Sequence, residues 1–328
     1  MQRRAFLFAT LGAAACGRRD ALSRAARWLW SQQSDDGGWH SKTYGLLRSG
    51  QSLTPFVLDA LLSVPHEAAP VDKAFDFLKR NFNTEPVDYP NYAAGLAVRV
   101  AGRLKRNMPE WIAYLRAQQF TEENGWTSND PAYGAWGMGG DRRRPPEPGH
   151  VDLAMTRYVI EGLAAAGITW RDPAMQKALI YLKRCQNPDG GFYFSTVNLD
   201  TNKAGETAGK YRSYGTTTCD GLIAMPLACR PLVDRNMDIA RAQDWLQKNH
   251  LEERAPGFDL EPARMGWSEG LRFYYAAAVT RAMPSLPVQL PAQRDDGSFA
   301  NKNNLVKEDD PLIATAFALR VLCHDSGG

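Results

Sequence analysis

The sequence is poor in cysteine and has no concentration of charge of one sign. Its 328 residues include five cysteines and no C-x-x-C pair, so it shows neither a zinc ribbon nor a readable disulfide framework. The net charge of +3 is too small to indicate nucleic-acid binding, and the basic run DRRRPPEP at residues 141–148 is typical of a solvated loop. No segment has strand periodicity, and beyond the N-terminus no apolar run reaches the ~20 residues that cross a bilayer.

The N-terminus has the layout of an export signal. Arg3 and Arg4 precede a short apolar stretch at residues 5–15, which ends in small residues before Cys16. The segment RRAFLF resembles a twin-arginine signal, and Cys16 resembles the acceptor cysteine of a lipoprotein. We therefore expect residues 1–19 to be an export signal and tether, lipidated at Cys16, which places the protein in the periplasm or on a membrane surface. The alternative is a cytoplasmic protein with an unprocessed N-terminal helix.

A pattern of glutamine, acidic turn, glycine and aromatic residue occurs four times. The copies are Gln33–Trp39, Gln119–Trp126, Gln186–Phe192 and Gln293–Phe299. Their spacing is too long and uneven for a single-unit repeat and indicates a two-helix repeat in which some copies have decayed. In this interpretation the glycine ends a helix, the glutamine amide bonds freed helix-terminal groups of a neighbouring pair, and the aromatic ring packs between pairs.

Helices with one polar face alternate along the chain with helices that are apolar on nearly all sides. Residues 172–186 show the first kind and residues 310–322 the second, which is typical of a helix buried on most sides. Because an open solenoid needs polar capping repeats and the last helix is among the most apolar, we predict a closed all-α (α/α)6 toroid. The expected outer helices are 20–33, 69–82, 107–120, 172–186, 234–250 and a proline-interrupted piece near 285–293, with inner helices 52–64, 91–104, 150–167, 214–230, 270–283 and 310–322.

The repeats resemble the QW repeats of squalene–hopene cyclases, oxidosqualene cyclases and the β-subunits of protein prenyltransferases. The resemblance covers nearly all of residues 20–323 and implies one squalene-cyclase-like toroid over residues 20–328. The stretches WGMGG, YRSYGTTTCDGL and DPLIATAFALRVL are similar to a single-barrel bacterial branch whose chemistry is undefined. Fold analogy by itself is weak evidence for an activity.

The resemblance implies a central cavity with aromatic rings near the starts of the inner helices. In the cyclases such rings stabilise carbocations, each by about 2 kcal/mol when desolvated. The alternative for each ring is core packing, and Asp310, which reads as a helix cap before Pro311, is a further candidate for the cavity. The candidates for substrate binding are Tyr133, Trp136, Tyr214, Trp267, Phe273, Tyr274, Tyr275 and Asp310.

A cyclase of this type protonates its substrate with the middle carboxylate of an Asp-x-Asp-Asp motif, which this sequence lacks. The matching place reads His150-Val151-Asp152-Leu153. A carboxylic acid can protonate an alkene only if its surroundings keep it neutral, and both flanking aspartates are missing. We therefore carry two hypotheses: Asp152 is the proton donor with His150 as its nearest polar partner, or Asp152 caps a helix.

No cofactor is expected. Protein prenyltransferases hold zinc through Asp, Cys and His, whereas here Cys219 and Asp220 are adjacent and cannot share a helix face, so we expect no metal. Two functions remain: an enzyme that cyclises an isoprenoid or triterpenoid in an apolar cavity, and an exported, non-catalytic protein that binds an apolar ligand or serves as a scaffold. A carbohydrate-active (α/α)-barrel is a weaker third, since its paired carboxylates cannot be recognised from sequence.

Overall fold

The computed structural model describes residues 2–81, 88–230, 237–260 and 262–324, with side chains from residue 17 onwards. Nearly all regular structure in these residues is helical, as predicted. A two-stranded hairpin of β1 (Glu206–Thr207) and β2 (Lys210–Tyr211), which the sequence did not indicate, decorates one loop. The helices are α1 (Gln2–Ser31), α2 (Leu53–Leu61), α3 (Ala68–Asn81), α4 (Pro90–Arg103), α5 (Pro109–Gln118), α6 (Leu153–Ala165), α7 (Pro173–Arg184), α8 (Gly215–Ala228), α9 (Met237–Asn249), α10 (Met265–Gly270), α11 (Arg272–Ala282) and α12 (Pro311–His324).

Six helices form a closed inner ring, which confirms the predicted toroid. Each of α2, α4, α6, α8, α11 and α12 packs against the next, and α12 returns to α2. All residues of α2 and nearly all residues of α6 and α8 are buried, as expected for helices enclosed on most sides. The C-terminal helix therefore closes the ring against the first pair.

The outer helices pack on this ring through one apolar face. Helix α7 shows how the sequence specifies them: Asp172 accepts a hydrogen bond from Ala174 N at 2.9 Å, and Pro173 occupies the first helical position. Met175, Ala178 and Leu182 then face the core. Helices α3, α5 and α9 pack in the same way on α2, α4 and α8, while α1 lies against α12 and α2.

The predicted sixth outer helix near 285–293 is wrong. These residues contain no helix, because Pro287 and Pro291 lack the amide donors that a helix needs and Pro284 stands directly before the segment. The segment instead begins with a turn, in which Leu286 N donates to Met283 O at 3.0 Å, and continues without regular structure, with Gln289 N donating to Glu252 O at 2.9 Å.

The repeated turn joins neighbouring outer elements. In each copy the glutamine amide donates to the carbonyl of the turn glycine and to a carbonyl of the next outer helix, at 2.7–3.0 Å. The second acceptors are Pro70, Ala174, Asp238 and Ala21. Pro70, Ala174 and Asp238 lie in first helical turns and Ala21 lies inside α1, so none of them is a freed carbonyl at the end of a helix. The amide therefore uses their second lone pairs.

The prediction that Trp126 is the aromatic residue of the second copy of the turn is wrong. Gln119 bonds Gly134 O at 2.9 Å, so the turn continues into Trp136, and Trp126 belongs to an insertion between them. Trp136 N donates to Thr156 Oγ1 at 3.2 Å, where Trp39, Phe192 and Phe299 contact Thr54, Thr218 and Thr315 in the same way. A threonine in the first turn of an inner helix thus belongs to the repeated unit.

The N-terminal helix α1 runs continuously from Gln2 to Ser31 and so covers the expected signal segment and the first outer helix. From its C-terminal half, Ala25 and Leu29 are fully buried in the core. The side chain of Cys16 lies outside the described residues. Within the described part of the chain, no helix has both the length and the apolar composition that a bilayer crossing requires.

Candidate functional site

Two cavities lie along the axis of the inner ring and share a wall made of Tyr158, Tyr274 and Phe317. The first cavity is lined by residues in the first turns of the inner helices, such as Leu53 of α2 and Ile313 of α12. The second is lined by residues nearer the ends of these helices, such as Arg281 of α11 and Arg320 of α12. The inner helices therefore run in one direction, and the cavities occupy opposite ends of the ring.

The first of these, here called the apolar cavity, has a volume of about 260 Å³. Its aromatic rings pack closely: the ring centroids of Phe56 and Phe317 are 4.9 Å apart, and those of Tyr92 and Tyr158 are 5.0 Å apart. Leu47, Leu53, Leu96 and Leu271 complete most of the apolar wall. A flexible apolar chain fits such a surface better than a sugar does.

Glu308 supplies a carboxyl group to the wall of the apolar cavity. It precedes α12 and is 1% exposed. Its oxygens accept hydrogen bonds from Phe273 N at 2.9 Å, Tyr274 N at 2.7 Å and Asn301 Nδ2 at 3.1 Å. Burial raises the pKa of Glu308 to about 8, against these donors, which favour the ionised form. Burial thus favours the protonated form of this carboxyl group, while its three hydrogen-bond donors favour the carboxylate.

The second cavity, here called the arginine cavity, has a volume of about 290 Å³ and is lined by Arg99, Arg157, Arg281 and Arg320 together with Asp59. These residues belong to a network across all six inner helices, here called the arginine–carboxylate belt. Its members are Asp59, Arg99, Arg103, Arg157, Glu161, Asp220, Arg281 and Arg320. The axis of the ring is thus apolar at one end and highly charged at the other.

Asp220 connects the belt to the wall that the two cavities share. Its Oδ1 accepts a hydrogen bond from Tyr274 Oη at 2.8 Å and lies 3.9 Å from Arg157 Nη1. Burial raises the pKa of Asp220 to about 6, although Arg157 and the Tyr274 hydroxyl favour the carboxylate. The described residues contain no cluster of His, Cys, Asp and Glu fit to hold a metal ion.

Asp152 caps α6, as one of the two hypotheses expected. Its Oδ1 accepts a hydrogen bond from Met155 N at 2.7 Å, and its Oδ2 lies 2.8 Å from His150 Nε2, so His150 is a close polar partner. Asp152 is 3% exposed and lines neither of the two axial cavities. His150 lines a separate groove beside Gly137 and Gly139.

Of the eight expected substrate-binding residues, Tyr274 lines both axial cavities, and the other seven line neither. Trp136 is fully buried between helices, with Nε1 donating to Leu115 O, and Asp310 caps α12 by accepting from Leu312 N. The remaining contacts are local: Tyr133 with Glu122, Tyr214 with Phe258, Trp267 with Lys203, Phe273 with Phe299, and Tyr275 with His250. For these residues the structure shows core packing and capping.

Sequence reasoning missed Glu308 as a cavity residue and missed the belt. A signal for the belt was present, because Arg157 and Glu161 stand four residues apart in an otherwise apolar helix, as Arg320 stands in α12. A charged residue in a buried helix requires a buried partner. No local pattern marks Glu308, since its position depends on the docking of α11 against the segment before α12.

Comparison with known sequences finds relatives among the squalene–hopene cyclases, while no family model matches the chain. The chain is 26% identical over 213 residues to the squalene–hopene cyclase of Bradyrhizobium diazoefficiens, and 27% identical over 222 residues to a probable squalene–hopene cyclase of Sinorhizobium fredii. The matches cover 65% and 66% of this chain but 26% and 28% of those proteins. The chain thus spans about a quarter of the length of the curated relatives it matches.

Solved structures of similar architecture cover the whole toroid. The type II terpene cyclase MstE from Scytonema, in complex with merosterolic acid A as product, superposes with a TM-score of 0.60 and 13% identity over 96% of this chain and 99% of that chain. The same cyclase bound to its substrate, geranylgeranyl dihydroxybenzoate, gives a TM-score of 0.58 over 95% and 98% of the two chains. The protein has a terpenoid-cyclase-like helical toroid fold.

Proposed function

We propose that the protein binds an isoprenoid chain in the apolar cavity and cyclises it by protonation of an alkene from a buried carboxylic acid. The observation that carries this proposal is the position of Glu308, a buried carboxyl group in the wall of an aromatic-lined cavity, where burial raises its pKa. The similarity to a cyclase that binds geranylgeranyl dihydroxybenzoate supports an isoprenoid ligand. Aromatic faces around the cavity supply the attraction that a cationic intermediate needs.

Glu308 fits the role of proton donor better than Asp152 does. Asp152 caps α6 through Met155 N, contacts His150 and lines neither axial cavity. Glu308 lines the apolar cavity itself, beside Tyr274 and Phe317. Asp152 remains the competing donor because it occupies the motif position of the cyclases.

Two isosteric substitutions separate these donors. Purified wild type, Glu308→Gln and Asp152→Asn are incubated with squalene and with geranylgeranyl derivatives, and cyclic products are measured by gas chromatography. An amide cannot donate the proton, so we expect Glu308→Gln to lower turnover by about a hundredfold or more, while Asp152→Asn retains most of it. Melting temperatures of both variants verify that loss of product is not loss of fold.

The opposite ranking of the two variants would assign the proton to Asp152. Absence of product from the wild type, together with a thermal shift on binding these isoprenoids, would favour the alternative function, a non-catalytic protein that binds an apolar ligand. Stabilisation by oligosaccharides alone contradicts both functions.

We propose further that the protein is exported and acylated at Cys16. The paired arginines and the small residues before Cys16 support this location. Cell fractionation of the wild type and of the double variant Arg3→Lys, Arg4→Lys is the test. Wholly cytoplasmic protein in both strains rules out export, and an unchanged mass at the N-terminus rules out acylation.

A further inference from the structure

The arginine–carboxylate belt carries more positive than negative charge. Its five arginines face three carboxylates in the described part of the chain: Asp59, Glu161 and Asp220. Each of the first two carboxylates already pairs with three guanidinium groups. Glu161 contacts Arg99 at 2.5 Å, Arg157 at 2.6 Å and also Arg281, so no unused anion remains within the network to balance the excess.

This excess of positive charge lowers the stability of the fold because several of the arginines are buried inside the ring. Arg157 is 4% exposed and the side chains of Arg99 and Arg320 are each 16% exposed, whereas those of Arg103 and Arg281 are 29% and 39% exposed. Burial and the nearby charges of Arg99 and Arg157 lower the pKa of Arg281. Buried charge of this kind is normally compensated by a partner of opposite sign.

We infer that the arginine cavity is a binding site for a compact oxyanion of two or more negative charges, such as phosphate or diphosphate. Arg281 and Arg320 supply charge and forked donors. The volume of about 290 Å³ is several times the ~30 Å³ share of a water molecule, so an anion fits with part of its hydration.

The oxyanion has two possible sources, a free ion or the head group of an isoprenoid. Tyr158, Tyr274 and Phe317 separate this cavity from the apolar cavity, so a head group bound by the arginines would place its chain against the shared wall. Anion binding itself does not depend on the proposed cyclisation, since the charge excess lies at the end of the ring opposite Glu308.

Isothermal titration at constant ionic strength tests the site with inorganic diphosphate, geranylgeranyl diphosphate and geranylgeraniol as probes. Arg281→Met removes a guanidinium group from the wall of the cavity and should weaken diphosphate binding by more than tenfold. Arg241→Gln on the outer helix α9 lowers the net charge equally and should leave binding unchanged.

The two supporting results distinguish the sources. Binding of inorganic diphosphate equal to that of geranylgeranyl diphosphate indicates a free anion, whereas much tighter binding of the prenylated probe indicates a head group. Failure of the wild type to bind either phosphorylated probe, or equal affinity in wild type and Arg281→Met, overturns the inference. Geranylgeraniol binding together with either failure leaves the apolar cavity supported and removes only the oxyanion site.

Discussion

At the scale of single residues, ionisable groups in this protein fall into two opposite environments. Asp59 is surrounded by Arg99, Arg103 and Arg320, which hold its pKa well below the usual range of a carboxyl despite complete burial. Glu308 lies among aromatic and aliphatic side chains, and burial raises its pKa. Buried carboxyl groups are therefore held as anions where arginines surround them, whereas burial among apolar side chains favours the protonated form.

The state of Glu308 predicts a dependence of stability on pH. Its pKa in the folded protein, about 8, lies above its ordinary value, so its stabilising contribution is complete below the ordinary value and is lost as the pH rises to about 8. We expect the free energy of unfolding, measured with urea, to fall over this window in the wild type and to fall less in Glu308→Gln. Identical pH profiles for the two proteins would show that Glu308 is ionised in the fold.

At the scale of elements, the repeated glutamine acts as a clamp between two outer helices. Gln33 donates to Gly37 O at 3.0 Å and to Pro70 O at 2.9 Å, which ties the end of α1 to the start of α3. The turn glycine makes this contact possible: Gly37 has φ 96°, and an added Cβ would lie 2.3 Å from Lys73 O. Glycine is thus required here by both conformation and close approach.

Adjacent glutamines provide a matched test of the clamp. Gln33→Leu removes the amide donor from the carbonyl groups of Gly37 and Pro70. We expect it to lower the free energy of unfolding by about 1–3 kcal/mol. The amide of Gln32 reaches the exposed Ser31 hydroxyl, so Gln32→Leu should change stability by less than about 0.5 kcal/mol. Equal effects in urea denaturation would remove the clamp as a source of stability.

At the scale of the whole molecule, the ring is closed by contacts between the two ends of the chain. Gln293 donates to Ala21 O at 2.9 Å, and Arg24 donates to Arg294 O at 2.8 Å and Asp295 O at 2.9 Å. These bonds join residues that are far apart in the sequence, whereas the other copies of the repeated turn make the same glutamine contact between consecutive outer helices. Closure therefore uses the same interaction as propagation along the ring.

Loss of the hydrogen bond from Gln293 to Ala21 O should destabilise the helices at both ends of the chain, α1 and α12. In Gln293→Leu we expect faster hydrogen exchange in the C-terminal half of α1 and in α12, because α12 packs on α1 and α2. Gln186→Leu breaks the equivalent contact between α7 and α9 and should affect those helices instead. Exchange that increases in α1 but not in α12 would mean that the ends are held independently.

Local sequence patterns predicted the helices, apart from the wrong one near 285–293, and also their polar and apolar faces and the closed toroid. They could do so because helix periodicity and apolar content are properties of short segments. They did not reveal that Trp136, rather than Trp126, completes the second turn, because an insertion separates it from Gln119. Nor did they bring Glu308 to the apolar cavity, or join arginines from α4, α6, α11 and α12 into one belt. Those arrangements depend on residues far apart in the chain, so only the closing of the ring decides which charges are paired, which are neutralised and which face a cavity.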